Sequence, residues 1–245
     1  MEEVTKIFFV VQQELQEQSK QINSRLEKIS KEIQTLEDTF SKTKNNNQKL
    51  LEQASPIEEK QIKMNMRCNQ YLYDLELRKK MAKKTFYKNE LQLREMYEVR
   101  CSLFINYMMA EENHNEIQIT QSFYKFINYV YSEFIKKYQY ERDSYIEKKN
   151  IHENYILCLS TFPTIDETRR KQIEKNIMTE EEYQNLIQKI KDLYLKLEEY
   201  KQIFKTKKPR ITKKNKEEYK YFNFDVNQVV ASIYPGLQND VQNQK

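Results

Sequence analysis

The stretch Leu26–Phe40, LEKISKEIQTLEDTF, decides the fold. Its large apolar residues are Leu26, Ile29, Ile33, Leu36 and Phe40, separated by steps of 3, 4, 3 and 4. That is the a/d rhythm of a coiled-coil seam, with charged residues filling the positions between. Towards the N-terminus, Ile22, Leu15 and Val11 extend the stripe. The step from Ile22 to Leu26 is 4 where the heptad requires 3, and Gln18 stands in the seam, so a stutter locally unwinds the supercoil here. Towards the C-terminus the frame continues through Thr43, Asn47, Leu50, Ala54 and Ile57. Thr43 and Asn47 are weak seam residues. Either a buried Asn fixes the register at some cost in stability, or the helix frays. The spacing predicts one helix over about 3–54, roughly 75 Å long at 1.5 Å per residue.

Ser55-Pro56-Ile57-Glu58 ends that helix and starts another. Ser55 is suited to the N-cap, Pro56 to N1, and Glu58 at N3 completes a capping box. A reversal here would make a helical hairpin. The second segment has a looser stripe, Cys68, Leu72, Leu75, Lys79, Ala82, Phe86, Asn89, Leu93, Met96 and Leu103, with Arg100 also in the seam. Residues 101–110, CSLFINYMMA, are apolar nearly all round and therefore need cover on more than one side, which predicts the centre of the core. The polar run 111–115 predicts a bend. A third helix from about Ile117 to Leu159 carries Phe123, Phe126, Ile127, Val130, Phe134 and Tyr138 at helical spacing. Tyr124, Tyr129, Tyr131, Tyr140 and Tyr145 widen its band, as core or as a partner surface. Phe162-Pro163 breaks the chain. Thr164 to Glu167 and Thr179 to Glu182 read as two more capping boxes, opening a short helix to about Ile177 and a periodic one to about Phe204. The last stripe is Tyr183, Ile187, Ile190, Tyr194, Leu197, Lys201 and Phe204.

The tail differs. Residues 205–216, KTKKPRITKKNK, hold seven cations and no acid: Lys205, Lys207, Lys208, Arg210, Lys213, Lys214 and Lys216. They are candidate polyanion-binding residues, for acidic protein surfaces such as tubulin tails, for anionic lipid or for an import receptor, unless the run is a solvated linker. Tyr221, Phe222 and Phe224 follow, and then a short capped helix with Val226, Val229, Val230 and Ile233 on one face. These seven are candidate partner-docking residues, because so short a tail owns no core.

Composition agrees with long helices. The 245 residues include one Gly and four Pro, where average usage of about 7% would give roughly 17 Gly. Sandwiches, hairpin-rich sheets, Rossmann units and phosphate loops need Gly at fixed points and are therefore disfavoured. The 32% charged and 38% hydrophobic content suits helices burying narrow stripes. Eighteen Tyr and twelve Phe, with a net charge of only +5, argue against disorder. The longest apolar run, Ile7 to Val11, is far too short to span a membrane. It suits docking on a neighbouring helix, or insertion at a membrane interface. Cys68, Cys101 and Cys158 are odd in number and lack a CxxC, which predicts three reduced thiols in an intracellular setting. No signal peptide is visible.

Catalytic patterns are missing. There are two His, and only Glu111 with His114 has Glu-x-x-His spacing, without the second copy that a di-metal bundle needs. Both His114 and His152 are expected as surface or loop histidines. A second basic cluster, Arg78 to Lys84 (RKKMAKK), reads as a solvated helix face or as one side of a membrane-facing bundle.

The organisation expected is a heptad helix over 1–54, a second long helix over 55–112, an aromatic-rich helix over 113–160, a short helix plus a heptad helix over 164–206, and a basic linker with a docking helix over 207–245. The fold class is all-α, an elongated bundle of coiled-coil-like helices with a short C-terminal docking tail. No catalytic, metal or cofactor site is expected. The leading reading is a structural or adaptor subunit of a cytoskeletal or ciliary assembly in the cytoplasm, meeting other proteins through its seams and tail. A membrane-associated helical module of BAR-like shape and a nuclear subunit with a basic import signal stand beside it. Specific nucleic-acid recognition is not expected, since no recognition motif is present.

Overall fold

A computed structural model describes residues 2–113, 116–163 and 165–206. Contacts divide the chain into two units, Met1–Gln202 and Ile203–Lys245. The described part of the second is only the last turn of the final helix, so the architecture below is that of the first. Every regular element among the described residues is α-helical: α1 Glu2–Gln53, α2 Pro56–Glu112, α3 Glu116–Thr161, α4 Glu167–Glu174 and α5 Glu180–Thr206.

The apolar stripe of α1 is buried from Val11 to Ile33. Val11, Leu15, Ile22, Ile29 and Ile33 are buried against α2, with Leu26, Leu36 and Phe40 half-buried between and beyond them. The two helices run antiparallel. Gln12 Nε2 donates to Glu98 at 3.3 Å, Lys80 Nζ to Glu32 Oε2 at 2.8 Å, and the Phe40 ring stacks on Tyr73 at 4.0 Å. Burial stops at Phe40. Thr43 and Leu50 are exposed, and Ile57 beyond the corner is 85% exposed. The tip is helical yet unpacked, and Asn47 is only half-buried there, so no buried Asn fixes the register.

The reversal occurs where the capping pattern stands. The Ser55 amide donates to Glu58 Oε2 at 2.9 Å and the Ser55 hydroxyl to the same oxygen at 2.6 Å. That hydrogen bonding holds the Glu58 carboxyl below the usual range. At the head of α5 the box is reciprocal. Thr179 N–H reaches Glu182 Oε2 at 2.8 Å and Glu182 N–H reaches Thr179 Oγ1 at 3.2 Å. The α4 cap corrects the sequence reading: Asp166, not Thr164, accepts from the Arg169 amide at 2.9 Å, and the helix ends at Glu174. A carboxylate at the N-cap satisfies an orphan amide of the first turn and adds charge at the positive end of the dipole.

Helix α3 returns antiparallel along α2. Tyr71 pairs with Asn154, Tyr155 with Glu76, Arg78 with Glu147, and Phe104 with Phe126. Helix α5 then runs antiparallel to α3 through polar ends of rings: Tyr183 O–H donates to Glu153, Lys189 lies over Tyr145, Arg142 over Tyr194 and Lys196 over Tyr138. Its buried stripe is Leu186, Ile190, Leu193 and Leu197. The expected stripe was offset. Ile190 and Leu197 belong to it, whereas Tyr194 is 51% exposed, because its ring serves a cation at the helix edge instead of the core.

The core also lies elsewhere than expected. Cys68, Leu75, Tyr155, Cys158, Phe162 and Ile173 form one buried cluster where α4 folds back across α2 and α3. Residues 101–110 are mostly half-buried; Ala110 is buried and Met109 is 43% exposed. An all-round apolar stretch asks for cover on several sides, but α4 delivers its Ile173 to the other end. Near 101–110 the polar Arg100 takes a buried place, in an ion pair with Glu133 at 3.2 Å and over the Tyr97 ring at 4.2 Å.

Candidate functional site

The stripe of α2 includes two residues, Lys79 and Phe86, that a seam between helices would bury. Both are exposed. Between the core cluster and Met96, the α2–α3 seam opens into a cavity of about 700 Å³. Helix α2 supplies Arg78, Lys79, Met81, Lys83 and Phe86, α3 supplies Glu147, Lys148, Ile151 and His152, and Met178 closes it at the α4–α5 corner. Met81 and Phe86 are 48% and 45% exposed, unusual for large apolar groups flanked by packed ones.

The basic cluster over 78–84 is thus divided rather than presented as one face. Lys80 turns to α1 and pairs with Glu32, which lowers the Glu32 carboxyl chiefly through that hydrogen bond. Arg78 crosses to α3, where Nη2 donates to Glu147 Oε2 at 3.0 Å. Lys79 Nζ donates to the Asn176 side chain at 2.7 Å and so ties α2 to the end of α4. Lys83 lines the cavity and forms no ion pair among the described residues, though its charge adds to the lowering of the Glu32 carboxyl.

His152 corrects another expectation. It is 5% exposed, inside α3. Its Nδ1 accepts the Met178 amide at 3.0 Å, so the proton of the neutral ring sits on Nε2. The Tyr183 ring lies against it at 4.7 Å. The histidine therefore replaces a backbone carbonyl as the acceptor that holds the α4–α5 corner onto α3. A sequence signal existed: His152 is three and six residues before Tyr155 and Cys158, which are both buried.

The thiols also changed meaning. Cys68 and Cys158 are 90 positions apart yet share the core cluster, where each thiol shifts the acidity of the other. Burial pushes the Cys158 thiol up to about 11, with Cys68 adding to it, and burial pushes Cys101 up to about 11 as well. Thiols held protonated in this way are poor nucleophiles. Among the described residues no group of three His, Cys, Asp or Glu is placed to hold a metal ion. No described helix is long and apolar enough to cross a membrane.

The sequence-predicted site falls outside this picture. The side chain of Lys205, together with Lys207, Lys208, Arg210, Lys213, Lys214 and Lys216, lies outside the described residues, as do Tyr221, Phe222, Phe224, Val226, Val229, Val230, Ile233 and His114. The same holds for the side chains of Ile7, Phe8 and Phe9. Of that apolar run, Val10 is 53% exposed and Val11 is buried.

No family model matches this chain, and neither a curated protein nor a solved structure does.

Proposed function

We propose that this chain is a non-enzymatic structural or adaptor subunit of a larger intracellular assembly, cytoskeletal or ciliary in setting, built as an elongated bundle of coiled-coil-like helices. The observation that carries the reading is the surface of its long helices. Beside their buried stripes they present large apolar side chains to solvent: Ile57 at 85%, Leu195 at 71%, and Val10, Leu50, Leu157 and Tyr194 at more than half. Such groups spaced along helices of 52, 57, 46 and 27 residues suit binding along their length better than turnover at a point. The polar groups support the same reading. Caps, edge tyrosines and interhelix ion pairs account for many of the polar contacts among the described residues.

Cross-linking mass spectrometry in native extract, combined with light scattering on the purified chain, tests this. The expected result is cross-links from the exposed positions of α1, α2 and α5 to other proteins. A compact monomer without neighbours overturns the reading.

A further inference from the structure

We propose that the α2–α3 groove is a docking site for an acidic amphipathic helix of a partner protein. The proposal rests on the adaptor reading and assigns it a surface.

Four observations converge. The groove is flanked by residues 78–89 of α2, about 18 Å or three helical turns. That is the length over which a helix presents apolar side chains at i, i+3 or i+4, and i+7. Its floor is apolar where the seam should have closed: Met81 and Phe86 stand about half exposed and face a cavity of about 700 Å³, room for a row of side chains but not for a whole helix. Methionine adapts its shape to an incoming side chain at little cost. The charges are one-sided. The groove's two acids are already held, Glu147 by Arg78 and Asp143 by Arg142. Lys83 and Lys148 form no ion pair among the described residues, although the Lys83 charge also acts on Glu32, and Lys148 rests over the Tyr145 ring. An occupant with an apolar stripe bordered by Asp or Glu complements both features, and one bordered by Lys or Arg is repelled. Finally, the groove is recessed between two helices. A bilayer surface meets protruding side chains and does not follow such a recess.

The test uses the full chain and a fluorescein-labelled 18-residue designed helix with Leu at i, i+3, i+4 and i+7 and Glu at the flanking positions. A counterpart carries Lys in place of every Glu. Fluorescence anisotropy is expected to give micromolar binding of the acidic peptide, weakened by salt, with the lysine peptide at least about tenfold weaker. Lys83→Glu with Lys148→Glu inverts that preference, and Phe86→Ser weakens both peptides. Circular dichroism checks that each variant keeps its helicity. Lys83→Gln and Lys148→Gln, at exposed positions, replace the reversals if those fail to fold and are expected to lower acidic-peptide affinity severalfold.

Equal binding of the two peptides, or indifference to the lysine substitutions, overturns the proposal. So does co-sedimentation with phosphatidylserine vesicles that the same substitutions abolish while peptide binding is absent. That result would give the groove to a membrane. Neighbours found by cross-linking elsewhere on the chain, together with a groove that binds no peptide, would leave the adaptor reading standing and remove this one.

Discussion

The hydroxyl of Tyr155, a residue 1% exposed, donates to Glu76 Oε1 at 2.6 Å and so joins the core cluster to the rim of α2. Burial is the main cause that raises the phenol far above its ordinary range, with the Glu76 carboxylate adding to it. Tyr155→Phe keeps the ring and removes the bond. The expected loss is about 1.5 kcal/mol, the low end for a hydrogen bond to a charged group, because water reaches half-buried Glu76 once the hydroxyl is gone. Tyr155→Ala adds a cavity and should cost about 3–5 kcal/mol. Urea midpoints of the two variants separate these contributions.

The Arg100–Glu133 pair is buried at 3.2 Å, but Arg100 Nε and Glu133 Oε2 lack hydrogen-bond partners. Desolvation raises the Glu133 carboxyl despite the opposing pull of Arg100 and Lys137. Charge is tolerated there rather than favoured. Arg100→Met alone strands a buried carboxylate and should cost about 3–5 kcal/mol, whereas Arg100→Met with Glu133→Leu should be near neutral or stabilising. A double-mutant cycle by thermal or urea unfolding decides it. A double variant as unstable as the single one would contradict this account.

Alkaline pH should weaken the fold. The thiols of Cys101 and Cys158 each sit at about 11 when folded, against 9.0 as the ordinary value. The native state therefore holds their protons more tightly than the unfolded chain does. Their stabilising contribution is full below about pH 9 and is lost as pH rises towards 11. Cys158→Ala removes one titrating group from the core, so its urea midpoint should decline less steeply across that window than the native one. Equal slopes would show that Cys158 does not titrate there. Native Cys68 and Cys158 should also react with Ellman's reagent far more slowly than in guanidinium.

At the α4–α5 corner, Thr179→Ala removes the acceptor for the Glu182 amide and should cost about 1 kcal/mol. His152→Phe keeps a ring beside Tyr183 but strands the Met178 amide, at about 1–3 kcal/mol. Hydrogen exchange at Met178 should rise more in His152→Phe than in Thr179→Ala, since only the first loses that amide's acceptor.

The local features were legible in the sequence because local physics makes them. The 3–4 spacing of Leu26 to Phe40 and the Ser55–Glu58 and Thr179–Glu182 boxes depend on neighbours within one or two turns. What depends on tertiary placement was not legible. Residues 101–110 carry enough apolar surface to be a core, but only Ile173 of α4 decides where several helices converge, and its destination is not written in α2. Likewise Phe86 and Lys79 fit a seam by spacing, and only the distance between α2 and α3 leaves them facing a cavity. The spacing of His152 to Tyr155 and Cys158 hints at its buried face, but its partner, the Met178 backbone amide, carries no residue signature. The tail candidates over 205–233 fall beyond the described side chains.

The unpacked tip of the first hairpin, from Thr43 through the Ser55 cap to Ile57, has a consequence for how the molecule opens. Its backbone bonds are supported by helix propagation and one cap, with almost no apolar burial behind them. Its amides should exchange through a small local melting event that leaves the Cys68–Tyr155 cluster intact. Protease should nick the chain there first. A peptide tag inserted between Gln53 and Ser55 should lower the unfolding midpoint hardly at all, which makes the tip a place to label this protein without disturbing its groove.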